Sequence, residues 1–288
     1  MSSKVSVLGL GAMGTALATK FLENGYQTTL WNRTTEKAAS LVERGCRLSA
    51  TIPDALQASD LILICLIDAQ AVKETLSRAL QSLAGKTVIN LTNGTPDQAR
   101  QLSELVLTHG GTEYIHGGIM AVPAMIGSSE AVLLYSGGSQ ENFRRVKKDL
   151  SILGTGKFLS EDAGSASLYD LALLSGMYGL FSGFLHATAL VRSGEKEATA
   201  TGFMSLLVPW LSGMIGYLGV MAKQIDEGNY VTQGSNIAMQ IVAVENILEA
   251  SETNGVSADV IHPIKSLMKL ALAAGRENED ISALIEHL

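Results

Sequence analysis

Val5-Ser6-Val7-Leu8-Gly9-Leu10-Gly11-Ala12-Met13-Gly14 decides the fold of the first half of this chain. Residues 5–10 are a short apolar run that reads as a strand. Residues 15–23 carry Leu17 and Phe21 four apart and read as a helix, with Gly25 as its C-terminal stop. Between them stands G-x-G-x-x-G, a pattern that is weak alone and informative when it links a strand to a helix. Gly9 permits the tight turn, Gly11 lets a pyrophosphate approach the backbone, and Gly14 lets helix and strand pack closely. The helix N-terminus then offers free N–H groups and a partial positive charge to phosphate. A glycine turn without a ligand is the plainer alternative; the strand–turn–helix context favours a dinucleotide site.

Outward from this turn, strand and helix patterns alternate. Residues 27–31 form the next strand, and 34–44 read as a helix closed by Gly45. Residues 61–66 and 87–91 are continuous apolar runs, as in a parallel sheet covered on both faces. Further strands are expected at 114–115, 132–135 and 157–159. The alternation predicts a Rossmann-type α/β domain with a parallel sheet. After Ser160 the strand signals stop. Helical runs follow at 167–191, 199–221, 235–253, 261–274 and 281–288, with Pro209 expected to break or kink the second. The reading is a Rossmann domain over 1–161 and an all-α domain over 162–288, entered by a long linking helix at about 163–191.

The bulk numbers narrow the function classes. Of 288 residues, 47% are hydrophobic and 17% charged, which supports a large core and argues against disorder. A net charge of −7 with no basic run disfavours nucleic acid and anionic membranes as partners. Cys46 and Cys65 cannot build a disulfide framework and lack metal-ligand spacing; Cys65, in the apolar run 61–67, reads as a buried thiol. The five histidines are too scattered for a metal site. With no signal or transit pattern, a cytoplasmic location is expected. Residues 168–191 are long enough to span a bilayer but include Asp170, His186 and several Gly and Ser, so a buried helix of a dimer is the preferred reading.

The second strand ends in Trp31-Asn32-Arg33-Thr34, with Lys37 one turn on. An NAD site usually has Asp or Glu there to hold the ribose 2′-OH, and such a carboxylate would repel a 2′-phosphate. Arg33 can stack on adenine and pair with that phosphate, and the Thr34 hydroxyl can donate to it. An exposed helix start capped by Thr is the plain alternative. The missing acid favours NADPH/NADP+. The cofactor contacts are therefore expected from the turn (Gly9, Leu10, Gly11, Ala12, Met13, Gly14), from Asn32, Arg33, Thr34 and Lys37, and from Cys65, Leu66 and Asn93 after the next two apolar strands.

The Gly-rich turn, the Asn-Arg-Thr and the long helix together resemble the β-hydroxyacid dehydrogenase superfamily. That resemblance implies a catalytic Lys, and an Asn one turn later, in the stretch Gly164-Ser165-Ala166-Ser167-Leu168-Tyr169-Asp170-Leu171-Ala172-Leu173. Asp170 stands where the Lys would be, and Leu173 where the Asn would be. A carboxylate cannot supply the cationic acid/base of a hydroxyl-to-ketone conversion. The departure instead resembles the imine reductases, in particular their fungal reductive aminase branch. The likeness runs over the whole chain, on Asn93, Asp170, Tyr178, Trp210 in Val208-Pro209-Trp210, and Met239-Gln240. It implies a homodimer with domain-swapped helical domains, each active site lying between the Rossmann domain of one subunit and the helical domain of the other.

The chemistry agrees with that assignment. A protonated iminium accepts hydride far better than a neutral imine, and a nearby anion stabilises it and can take a proton from an ammonium. Asp170 is read as the amine base and iminium stabiliser. Tyr178 lies eight residues on, about 80° around the helix, and is read as a hydrogen-bond partner of the substrate nitrogen or a proton relay. Asn93 would orient a carbinolamine hydroxyl or water, and Trp210, Met239 and Gln240 would form the substrate wall. Each has a bland alternative: Asp170 paired with a buried Arg, Tyr178, Trp210 and Met239 in a core, and Asn93-Gly94-Thr95 as a mere turn. His116 is read as structural. The expected function is NADPH-dependent reduction of imines or iminium ions, including reductive amination of ketones with small primary amines. Two rivals stand beside it: an NADP-dependent β-hydroxyacid or ketone reductase, and a nucleotide-sensing protein without turnover.

Overall fold

The β-branched and leucine residues after Lys4 form β1 (Lys4–Leu8), and its side chains divide between two cores: Val5 and Val7 on one face, Leu8 on the other. A computed structural model of the chain describes residues 3–232 and 234–288. It falls into two compact units, Met1–Ser175 and Gly176–Leu288. The division therefore lies inside the long helix that the sequence reading placed wholly in the second domain.

In the first unit, β1 is joined in one sheet by β2 (Gln27–Trp31), β3 (Arg47–Leu48), β4 (Leu61–Ile64), β5 (Thr87–Asn90), β6 (Glu113–Met120), β7 (Val132–Ser136) and β8 (Thr155–Phe158). The order is β3-β2-β1-β4-β5-β6-β7-β8. The helices between them are α1 (Ala12–Glu23), α2 (Ala39–Glu43), α3 (Ile52–Gln57), α4 (Ala69–Ser77), α5 (Pro96–Thr108) and α6 (Gln140–Leu150). Strand β4 alternates like β1, with Leu61 and Leu63 in one core and Ile62 and Ile64 in the other, which is why both strands read as unbroken apolar runs. Strand order reverses at β1, whose neighbours are β2 and β4, so the crevice beyond its C-terminal end is the ligand position of such a sheet.

Three expectations need correction. The sheet is parallel from β3 through β6, but β7 runs antiparallel to β6. Residues 121–131 hold only a 3₁₀ turn, Pro123–Met125, and no helix that could carry a parallel crossover. The helix expected at 34–44 begins as a 3₁₀ turn, Thr35–Ala38, before α2. A dense basic segment does exist, Arg144-Arg145-Val146-Lys147-Lys148. It is one face of α6, where Arg145 pairs with Glu141 at 2.8 Å, while Phe143 and Leu150 face the core.

The linking helix α7 (Gly164–Gly194) starts in the first unit and ends in the second, followed by α8 (Ala200–Glu227), α9 (Ile237–Thr253) and α10 (His262–Ala273). Helix α8 runs unbroken through Pro209. The missing N–H leaves the Ser205 carbonyl without its helical donor while the rest of the helix keeps its bonds. The last segment, Ile281–His287, is 3₁₀ rather than α. The second unit's core is small, built from Tyr230, Ile237, Ile241, Met268, Ala271, Ala283 and Leu284. Helices α7 and α8 are long and apolar enough to cross a membrane, and the most apolar window of α8 buries none of its residues. Leu206, Ile215 and Leu218 are among the large apolar residues exposed on α8.

Candidate active site

The glycine turn is built for two different purposes. Gly9 has φ +103°, and a Cβ there would lie 2.1 Å from the Cys65 carbonyl oxygen. A Cβ on Gly14 would lie 2.1 Å from the Gly9 oxygen, so these two residues serve the packing of α1 on the strands. A Cβ on Gly11 would meet nothing within 4 Å. That open space lies at the start of α1, whose first turn has no side-chain cap and no acid, leaving its N–H groups for an anion. Leu10, Ala12 and Met13 complete the turn.

Asn32 braces this turn from the end of β2: its Oδ1 accepts from Leu10 N at 2.9 Å and its Nδ2 donates to Thr34 O at 2.7 Å. Arg33, Thr34 and Lys37 are exposed. Thr34 makes no cap bond, and among the described residues no carboxylate pairs with Arg33 or Lys37. An open glycine cradle beside unpaired cations, with no acid at the end of β2, fits a dinucleotide carrying a 2′-phosphate.

The neighbouring strand ends are fixed by a buried polar chain. Leu66 N donates to Thr92 Oγ1 at 3.0 Å, Thr92 N to Asn90 Oδ1 at 3.1 Å, and Asn90 Nδ2 to Tyr114 OH at 2.9 Å. The same hydroxyl lies 3.2 Å from His116 Nδ1. Burial holds the His116 pKa down at about 4, so the ring is neutral. Cys65 is half-buried, and burial pushes its thiol up to about 11, so it packs as a neutral group. His116 is thus an internal bracket, and the chain through Thr92 sets the backbone that follows β4.

Helix α7 is anchored to the same sheet. Asp162 Oδ1 accepts from Gly164 N at 3.0 Å while its two oxygens take the Arg100 guanidinium at 2.9 and 2.8 Å. The Ser136 hydroxyl accepts from Ala166 N at 2.8 Å and donates to Ala163 O at 3.1 Å. This anchoring delivers Asp170, only 7% exposed, to the loop after β5, where Asn93 Nδ2 donates to Asp170 Oδ2 at 2.8 Å. Beneath it runs Gly118 of β6, where a Cβ would lie 2.9 Å from Asp170 Cβ. Burial raises the Asp170 pKa above the ordinary carboxylate value, and the Asn93 bond opposes that rise. Among the described residues no Arg or Lys pairs with Asp170, so it is not half of a buried ion pair. What remains is a desolvated carboxylate steadied by one amide donor, able to attract a cation or take a proton.

Asp170 and Asn93, 77 residues apart in sequence, are brought together, and Asn93 follows β5 on the same edge of the sheet as the glycine turn. Sequence reasoning missed Gly118, Ser167 and Thr92. A Gly117-Gly118 pair inside a strand is a signal of close approach, and Ser167 is one turn before Asp170. Tyr178, Trp210, Met239 and Gln240 belong to the second unit. Tyr178 meets Phe181 edge-on at 6.5 Å; it, Trp210 and Met239 are 63%, 64% and 60% exposed, so none is a core residue of this chain. Gln240 Nε2 donates to Ser235 O at 2.8 Å.

Comparison with known proteins shows which family the chain is similar to. Residues 4–160 match the NAD binding domain of 6-phosphogluconate dehydrogenase, and residues 162–288 match the NADPH-dependent reductive aminase-like C-terminal domain. An NADPH-dependent reductive aminase of Aspergillus oryzae is 59% identical over 100% of this chain and 97% of its own length. The reductive aminase of Aspergillus terreus, solved in complex with NADPH4, cyclohexanone and allyl amine, is 56% identical with a TM-score of 0.94, covering 100% of this chain and 99% of that one. An imine reductase of the same organism, solved with NADPH4 and dibenz[c,e]azepine, is 56% identical with a TM-score of 0.93 over 100% of both chains. A matching C-terminal domain and identity of this extent over the full length have one meaning: this chain belongs to the NADPH-dependent reductive aminases of the imine reductase family.

Proposed function

We propose that this protein reduces imines and iminium ions with NADPH, and joins ketones to small primary amines ahead of that reduction. The observation that carries the reading is Asp170: buried, free of any cationic partner among the described residues, and held by the Asn93 amide alone. NADPH, when bound, supplies the hydride. Gly11 and the first turn of α1 would hold its pyrophosphate, and Arg33, Thr34 and Lys37 its 2′-phosphate.

Asp170 takes a proton from an incoming ammonium, the freed amine adds to the ketone, and Asp170 returns the proton to the carbinolamine hydroxyl, which leaves as water. The regenerated carboxylate then stabilises the positive iminium, whose carbon is the hydride acceptor. A raised pKa suits a carboxylate that must accept a proton as well as release one. Asn93 keeps one oxygen oriented and offers its amide to a carbinolamine hydroxyl. Tyr178 would hydrogen-bond the substrate nitrogen, and Trp210, Met239 and Gln240 would wall the substrate.

A second copy of the chain covers α7 and α8 in this reading, giving a domain-swapped homodimer with shared active sites. Asp170 and His186 within the apolar span of α7 favour protein over lipid as its surroundings. The protein works in the cytoplasm on small molecules, with no nucleic-acid or membrane partner.

NADPH oxidation is measured with cyclohexanone and allylamine, and with the ketone alone, for the wild type and Asp170→Ala. Amine-dependent turnover that falls about 10²–10⁴-fold in the variant is expected. Equal rates in the two proteins remove Asp170 from the mechanism, and full turnover without amine identifies a carbonyl reductase instead.

A further inference from the structure

Ser167 precedes Asp170 by three residues on α7 and is almost fully buried. Its hydroxyl donates to the carbonyl of Gly94, the residue after Asn93. Asn93 in turn donates to Asp170 at 2.8 Å. Two consecutive residues of the loop are thus held by two residues one turn apart on the same helix face. The flanks of that stretch are fixed by Leu91 N on Ile64 O, by Thr92 and by the Thr95–Gln98 capping box, so the part without a tie of its own is the Asn93–Gly94 pair between them. Residues 91–95 lie outside any helix or strand, Asn93 is exposed, and among the described residues neither Asn93 N nor Gly94 N makes a hydrogen bond. An exposed amide with one internal bond exchanges readily with water unless its backbone is fixed.

We propose that Ser167 is a positioning residue, whose bond to the Gly94 carbonyl keeps the Asn93 amide on Asp170. The inference rests on the reading of Asp170 as the amine base. Without that tether Asp170 loses its donor more of the time, and its burial then acts unopposed on the carboxyl. Among the described residues no charged group pairs with Asp170 to offset the change. Beneath Asp170, β6 presents Gly118 and, on the same strand face, a neutral His116. The loop presents Asn93, and the charged pair at the start of α7, Arg100 and Asp162, is engaged with itself.

The test compares wild type, Ser167→Ala, Asn93→Ala and the double variant by the pH profile of kcat, the KM for NADPH and the thermal midpoint. Ser167→Ala should lower kcat by about tenfold and move the acid limb to higher pH, in the direction Asn93→Ala moves it. The KM for NADPH should stay within about twofold, and the double variant should be no worse than Asn93→Ala, because the two residues act as one unit. Ser167→Cys keeps the shape with a weaker donor and should give an intermediate limb, a readout that holds if Ser167→Ala is poorly recovered. An unmoved limb, or losses that multiply in the double variant, overturns the role of Ser167. If Asp170→Ala itself keeps full activity, the underlying reading falls instead, and the two failures are told apart by that one variant.

Discussion

Gly118→Ala tests how tightly the carboxylate is placed. The added methyl would stand 2.9 Å from Asp170 Cβ and 3.2 Å from its Cγ. Carbon atoms ordinarily rest about 3.5–4.0 Å apart, so helix or strand must retreat by roughly 0.5–1 Å. Overpacking of this kind costs about 1–3 kcal/mol of stability, and a displacement near 1 Å at a reacting group costs on the order of 100-fold in rate. The expected outcome is a kcat about 10–100-fold lower, with a thermal midpoint only a few degrees down. Gly117→Ala is the matched control. Its methyl would meet Leu91 Cδ2 at 2.5 Å and the Leu134 oxygen at 3.0 Å, on the opposite face of β6. It should lower stability as much or more and leave kcat near the wild type. Steady-state amination with cyclohexanone and allylamine, alongside thermal melts, separates the two effects. A wild-type kcat in Gly118→Ala, or equal kcat losses in both variants, would refute the claim that Gly118 is absent of side chain for the sake of Asp170.

Three further outcomes follow from other parts of the molecule. Arg33→Ala should weaken NADPH by about 10–100-fold, the value of a charge-assisted hydrogen bond, and NADH by less than about twofold; comparable losses would show that the 2′-phosphate is read elsewhere. Asp170→Asn should abolish amination yet melt no lower than the wild type at pH 7.5. Burial raises the folded-state pKa of Asp170, so its ionised form costs stability once pH rises through that value. The variant's advantage should shrink as pH falls back through it, and a lower melt at pH 7.5 would contradict the argument. Leu206→Arg with Ile215→Arg, both exposed on α8 and on opposite sides of it, should turn a two-chain species into single chains by analytical ultracentrifugation, and a single-chain wild type would remove the dimer.

Much of the fold was legible because its signals are local. Apolar runs marked β1, β4 and β5, and glycines marked the ends of α1 and α2. Helices α4, α5 and α6 were overlooked although their caps are written in the chain. Asp68 and Ser139 accept from the third residue beyond them, and Thr95 with Gln98 makes a reciprocal capping box. Strand direction was not legible at β7, since an apolar run reads the same either way. Pro209 does not break α8, because in a helix of 28 residues one missing donor leaves the remaining backbone bonds in place. At the site, Asp170 and Asn93 came from resemblance; their pairing across 77 residues is a product of topology, which no spacing rule reports. Gly118 and Ser167 matter only through what they touch, so they carry no mark until the helix is laid on the strand.

The three turn glycines answer to different masters. Those at 9 and 14 are demanded by the backbone around them, whether or not anything ever binds. The one at 11 is demanded by nothing inside the protein. A descendant that abandoned redox work would be expected to keep the outer two and let the middle one drift to alanine or serine without loss of folding. Among such descendants, the second glycine of the turn would be the first record of a lost trade.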